Sequence, residues 1–301
     1  MKRVTPGFLF DNPLPNHQGD GDKQARGRVL VIAGSVEMPG AALLASLGAL
    51  RAGAGILQIA TCQTSAPHLG MAMPEARVVG CRETTGGGID PSAIPRLCAL
   101  ASRCDSVLLG PGMMDDEAVA TVTLALLTEV RGPAFVLDAS AFTVMRKHGN
   151  VLQGQGGRVL VTPHAGEMAK FLNITRDEVE GDPINAAHKA AAVVGGVVAL
   201  KGKATHIVDP SDQLWLCDHG CIGLATSGSG DTLAGILAGL LARGAAPALA
   251  AVWSVYAHAE AGQRLAAKNG AVGFLAREIS GEIPRILEDL GQGRRRGRDA
   301  E

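Results

Sequence analysis

The chain has 301 residues, and Lys+Arg 28 against Asp+Glu 29 gives a formal net charge of −1, which offers no field to attract a nucleic acid or an anionic membrane. Hydrophobic residues make up 47 % and aromatic ones only 3 %, so the core has to be built from Ala, Val, Leu and Ile, with the 40 glycines at turns and close approaches. No apolar run nears the roughly 20 residues that span a bilayer. The N-terminal stretch has no signal-peptide pattern, and Cys62, Cys81, Cys98, Cys104, Cys217 and Cys221 form no CxxC pair, so a cytoplasmic protein with reduced structural thiols is expected.

The first residues, up to about position 24, are rich in Pro, Gly, Asn and Asp and read as an arm (1–27) of turns and extended segments. A single domain is expected over 28–290. In it, short apolar and β-branched runs predict buried strands at 28–34, 56–61, 106–110, 134–139, 158–162 and 197–202. Helical patterns at 40–52, 94–103, 116–130, 165–172 and 185–194 alternate with them. The fold class this implies is α/β: three layers, with a mainly parallel sheet flanked by helices. Around 206–217 two β-like runs bracket Asp209-Pro210-Ser211-Asp212, which predicts a small antiparallel hairpin. Helices apolar nearly all round follow, the last ending near Asp289, and the Gly- and Arg-rich tail 291–301 is expected to be disordered and solvated.

Gly228-Ser229-Gly230-Asp231 runs straight into a helix. Two glycines around a small hydroxyl residue let backbone N–H groups face a ligand, and the helix start adds free amides and partial positive charge, so Gly228, Ser229 and Gly230 form an expected anion hole. Asp231 beside a phosphate cradle suits a base that takes the proton from an attacking hydroxyl. An N-cap carboxylate after a tight turn explains the same residues equally well. Lys201-Gly202-Lys203-Ala204-Thr205 follows a strand at the edge where open α/β sheets bind ligands, although a solvated strand-end lysine is a simpler account of it. Neither GxGxxG nor a Walker A loop is present. Gly34-Ser35, Gly110-Pro111-Gly112, Asp138 and Thr162-Pro163-His164-Ala165-Gly166-Glu167 mark further strand ends. Metal-ligand spacing is lacking, so no metal ligand is assigned, and His258 and Glu260 read as core or surface residues.

In order, GSVEMPGAALLASLGALRAGAG, GPG, VLDAS, TPHAGEM, KGKATHIV and SGSGDTLAGILAGLL resemble the ADP/ATP-dependent NAD(P)H-hydrate dehydratases of the ribokinase-like superfamily, from about Arg28 to Leu290. The resemblance implies nucleotide-dependent dehydration of the S form of NADHX or NADPHX to NADH or NADPH. ADP or ATP is the expected co-substrate and Mg2+ the expected ion on its phosphates. It places Ala41, Gly112, His164 and Asp231 at the hydrated dinucleotide, and Lys201, Gly202, Lys203, Ala204, Thr205 and Gly230 at the adenine nucleotide. It further implies a homo-oligomer, with a tetramer expected, and a separate epimerase chain, since little sequence precedes the first strand.

Three positions depart from the family pattern: Ser227 where Gly is common, Cys221 where Asn is common, and Ser140 where Gly or Asp is usual. The TPHAGE and GPG segments argue against a vitamin-precursor kinase of the same superfamily, in which the phosphate would stay on the product. A non-catalytic nucleotide-binding protein is the remaining alternative, for which Ser227 and Cys221 are the hints.

Overall fold

In the computed structural model, residues 1–15 and 22–298 are described, the side chains of 292–298 excepted. The strands are β1 (Lys2–Arg3), β2 (Arg28–Ile32), β3 (Ile56–Cys62), β4 (Arg77–Cys81), β5 (Ser106–Leu109), β6 (Ala134–Leu137), β7 (Val159–Val161), β8 (Val197–Leu200), β9 (Thr205–Val208) and β10 (Leu214–Cys217). They form one 10-stranded sheet in the order β1-β10-β9-β8-β7-β6-β5-β2-β3-β4. Pairing is parallel throughout, except that β9 runs antiparallel to both β8 and β10.

Alternation along buried strands sends side chains to both faces. Val29 and Val31 join one core and Leu30 and Ile32 the other. The first face is covered by the helices Pro39–Arg51, Ser229–Ala242, Pro247–Asn269 and Ala276–Arg298, the second by Ile94–Ala101, Asp116–Glu129, Ala165–Leu172 and Pro183–Val194. This is the three-layer α/β/α arrangement expected from the alternating pattern.

Small residues let the first-face helices approach closely. A Cβ on Gly235 would stand 1.9 Å from the Ala45 carbonyl oxygen, and one on Gly239 2.5 Å from that of Ala49. Backbone-to-backbone contact of this kind is what a core rich in Ala and Gly and poor in aromatics permits. It also draws together the starts of the Pro39–Arg51 and Ser229–Ala242 helices, which lie at the ligand edge of the sheet.

Four expectations need correction. The N-terminal arm holds regular structure: β1 pairs with β10, and the helix Pro6–Asp11 is capped by Thr5 and buries Leu9 completely. Tertiary burial of that leucine and the edge pairing outweigh the turn-prone composition. β4 and the helix Ala66–Ala72 were not read from the sequence, because RVVGC is short and half-exposed at the sheet edge. The last helix is amphipathic rather than apolar all round, with Ala276, Ile279, Ile283 and Ile286 buried and Arg277 and Glu278 exposed. Its backbone stays helical to Arg298, past the expected end and through most of the expected disordered tail, since each residue added to an existing helix gains a hydrogen bond without a new nucleation cost. The rest of that tail, 299–301, lies outside the described residues. Cys62, Cys81, Cys98, Cys104, Cys217 and Cys221 are all free thiols, and no described helix is long and apolar enough to cross a membrane.

Candidate active site

Four charged side chains meet where β6, β7 and β8 end against the start of the Ser229–Ala242 helix. Asp138 follows β6 and is 3 % exposed. Its Oδ1 accepts hydrogen bonds from Thr162 Oγ1 at 2.7 Å and Lys201 Nζ at 3.3 Å. Gly110 makes room for it: at φ +121° a Cβ there would stand 1.8 Å from the Asp138 carbonyl oxygen, a conformation and an approach that only glycine allows. Lys201 follows β8 and is held by its backbone, whose N–H donates to the Pro163 carbonyl oxygen at 2.8 Å. Its ammonium reaches the helix start, since a Cβ on Gly230 would lie 3.1 Å from Nζ.

Glu167 and Asp231 complete the cluster. Burial raises the Glu167 carboxyl above its ordinary value, and Asp138 adds to this while Lys201 opposes it. Burial likewise pushes Asp231 from 3.8 up to about 6, with Asp138 and Glu167 adding and Lys201 opposing. Desolvation works against the Lys201 charge, but Asp138, Glu167 and Asp231 together outweigh it and hold the ammonium above its usual range. Lys201 is therefore a permanent cation among carboxylates of which Asp231 titrates near neutrality.

The helix beginning at Ser229 has no side-chain cap, and Gly228 precedes it at φ +85°. A Cβ on Gly228 would stand 2.3 Å from Leu44 Cδ1, so this turn needs glycine for shape as well as for space. Among the described residues, the backbone N–H groups of Gly228, Gly230 and Asp231 have no partner. The expected anion hole loses one member: the Ser229 N–H donates to the Thr226 carbonyl oxygen at 3.2 Å, and its hydroxyl lies 3.0 Å from His258 Nε2 on the buried side. The register of the first helical turn points Ser229 inward while Gly230 and Asp231 stay half-buried on the side of Lys201.

The segments assigned to substrate also converge. Gly112, at φ +63°, would place a Cβ 2.5 Å from Ala41 Cβ, so the GPG turn lies on the start of the Pro39–Arg51 helix. Ser140 Oγ donates to the Met113 carbonyl oxygen at 3.2 Å and ties this turn to the segment after Asp138, giving that departure from the family pattern a local role. His164 is mostly exposed and caps the Ala165–Leu172 helix, its Nδ1 accepting from the N–H groups of Gly166 at 3.0 Å and Glu167 at 3.3 Å. Glu167 Oε2 accepts from the His164 N–H at 2.9 Å, closing a capping box. With Nδ1 an acceptor, Nε2 carries the proton and lies 3.4 Å from Glu167 Oε1. Gly202 and Lys203 are exposed on the β8–β9 turn, Ala204 and Thr205 half-buried, and Ser227 exposed. Cys221 is half-buried against the first-face core.

Sequence reasoning noted Asp138 and Glu167 as strand-end residues without assigning them to the site. Their place at consecutive strand ends beside Lys201 was the available signal. Nothing in the sequence connected His258 to Ser229.

A family model described as NAD(P)H-hydrate dehydratase matches residues 29–285. The chain belongs to this family. It is 44 % identical over 294 residues to an ADP-dependent (S)-NAD(P)H-hydrate dehydratase of Xanthomonas campestris, covering 97 % of this chain and 98 % of that relative. A bifunctional NAD(P)H-hydrate repair enzyme of Moorella thermoacetica is 35 % identical over 96 % of this chain, which spans 54 % of that longer protein. Among solved structures, the ADP/ATP-dependent NAD(P)H-hydrate dehydratase of Bacillus subtilis co-crystallised with ATP and Mg2+ superposes with a TM-score of 0.79 at 29 % identity, covering 96 % of this chain and 98 % of that one. The likeness to a Pyrococcus horikoshii hydroxyethylthiazole kinase, at 18 % identity and TM-score 0.58, is one of fold.

Proposed function

We propose that the four-charge cluster and the open helix start carry out the nucleotide-driven dehydration of (S)-NADHX and (S)-NADPHX. The chain is an ADP/ATP-dependent NAD(P)H-hydrate dehydratase, a carbon–oxygen lyase of metabolite repair. The observation that carries the assignment of roles is Asp231: a carboxylate raised to about 6 at a helix start with unpaired amides.

Hydroxide is a poor leaving group, so the enzyme makes the ring hydroxyl a phosphate ester first. The hydroxyl oxygen attacks the terminal phosphorus of ADP (or ATP), its proton passes to Asp231, and AMP (or ADP) departs. At neutral pH Asp231 is mostly ionised and close to the optimum for a base. The Gly228 and Gly230 amides, the helix dipole and Lys201 receive the transferring phosphoryl group. The C–O bond then breaks with its electron pair going to phosphate, and loss of a proton from the adjacent ring carbon restores the dihydropyridine.

Ala41, Gly112 and His164 hold the hydrated dinucleotide, and the β8–β9 turn of Lys201, Gly202, Lys203, Ala204 and Thr205 holds the nucleotide, with ADP as the favoured donor. Among the described residues no three His, Cys, Asp or Glu side chains are arranged to hold a metal ion, and Mg2+ would arrive on the phosphates of the nucleotide. The same reading makes the protein cytoplasmic and homo-oligomeric, a tetramer, with a separate epimerase chain converting the R hydrate. Mixing purified protein with NADHX, magnesium and either ADP or ATP tests it. Recovery of NADH absorbance with release of phosphate is expected with nucleotide and not without it; folded protein that restores no absorbance with either nucleotide overturns it.

A further inference from the structure

His258 sits on the Pro247–Asn269 helix, 8 % exposed, among the apolar side chains of the first-face core. Its Nε2 lies 3.0 Å from Ser229 Oγ and 3.0 Å from the Ser229 carbonyl oxygen. A carbonyl only accepts, so the proton must be on Nε2, which donates to that oxygen with the hydroxyl beside it as a second acceptor. Ser229 opens the helix whose next two residues, Gly230 and Asp231, lie beside Lys201, and no side chain caps that helix. A buried imidazole donating to the first carbonyl of the turn leaves those amides open and tethers the turn from the side.

The geometry points to His258 as a positioning residue: its Nε2–H donated to the Ser229 carbonyl fixes the first turn of the helix, and so sets where Gly230 and Asp231 stand relative to Lys201. This goes beyond the site residues named above and rests on the proposed role of Asp231. Burial drives the His258 pKa down from 6.5 to about 4, with Lys201 adding to this and the Ser229 backbone contact opposing it. The ring therefore stays neutral wherever Asp231 works as a base. A shift of about 1 Å at a reacting group costs on the order of 10²-fold in rate, so loss of the donor should appear in kcat more than in either KM.

The test compares His258→Leu, which keeps bulk without a donor, with His258→Gln, whose amide can reach the same carbonyl. In the NADHX assay the Leu variant is expected to lose about 10- to 100-fold in kcat with both KM values within about threefold and the acid limb of its pH profile displaced, because the surroundings of Asp231, namely Asp138, Glu167 and Lys201, no longer keep their distances. The Gln variant is expected to recover most of that loss. Wild-type kcat and an unmoved acid limb in a folded Leu variant overturn the proposal, and so does an equal loss in both variants accompanied by a lowered Tm. Wild-type turnover in the same assay checks the underlying reading separately. Independently of turnover, 15N-edited NMR of the whole protein is expected to show His258 as the Nε2–H tautomer, neutral down to pH 5; the Nδ1–H tautomer or a charged ring at pH 6 overturns it.

Discussion

At Ala165 the chain closes its own helix start, with His164 Nδ1 accepting from two backbone amides and Glu167 answering from the third helical position. At Ser229 there is no such side chain: Gly228 turns the backbone at φ +85° and the amides of Gly230 and Asp231 are left without a partner among the described residues. Both starts belong to one cluster, joined through the Lys201 N–H on Pro163 and the Lys201 ammonium beside Gly230. A capped start presents a side chain, here an imidazole, whereas an uncapped one presents backbone donors and a dipole to an anion. A cleft that has to hold a dinucleotide and a phosphate has use for one of each.

Asp231→Asn breaks the open start chemically while sparing its shape. Turnover is expected to fall about 10²- to 10⁴-fold, with ADP affinity by calorimetry unchanged. Because its folded pKa of about 6 exceeds the ordinary value of 3.8, Asp231 binds more protons folded than unfolded between those values. Its burial therefore destabilises the protein fully above about pH 6, and the cost fades as pH falls toward 3.8. The Asn variant should accordingly melt higher than wild type at pH 8, by a margin that shrinks at pH 5. In the wild type, kcat/KM should drop on the acid side with a midpoint near 6; a profile flat to pH 5 would remove Asp231 as the base.

Lys201→Met removes the cation that serves both starts. The loss of a charge-assisted contact of about 1.5–3 kcal/mol is expected to raise the nucleotide KM about 10- to 100-fold. With Asp138 and Glu167 no longer balanced, the acid limb should also move to higher pH, a direction read from the same pH series. An unchanged KM would make Lys201 a structural counter-ion of Asp138 alone.

Gly228→Val imposes a β-branched residue at positive φ and a Cβ 2.3 Å from Leu44 Cδ1. A loss of about 1–3 kcal/mol is expected, seen as a lower Tm with little further stabilisation by ADP. His164→Ser gives the smallest effect. Serine also caps helices, so the melting curve should barely move while the dinucleotide KM rises about three- to tenfold; a large drop in Tm would mean that the imidazole matters mainly as a cap.

The site was partly legible because its parts sit at strand ends, where a short apolar run stopping at Asp138, Thr162 or Lys201 marks the edge of the sheet. Ser229 shows where that reading fails. Glycine–serine–glycine suggests that all of these residues line the anion hole, yet helical register turns one of them to the core. The N-terminal arm fails for the opposite reason: its local composition favours turns, and only pairing with β10 and burial of Leu9 make it regular.

By itself the sequence determined the alternation of strand and helix, the layer architecture, the β9–β10 hairpin and the glycine turn that opens the Ser229–Ala242 helix, because these depend on periodicity and on residues whose backbone preferences are local. Only the tertiary structure decided which carboxylates surround Lys201, which amides at Ser229 remain open, and that His258 stands behind them. Those relations join residues far apart in the chain, and pKa values and hydrogen-bond partners follow distance in space rather than position in sequence.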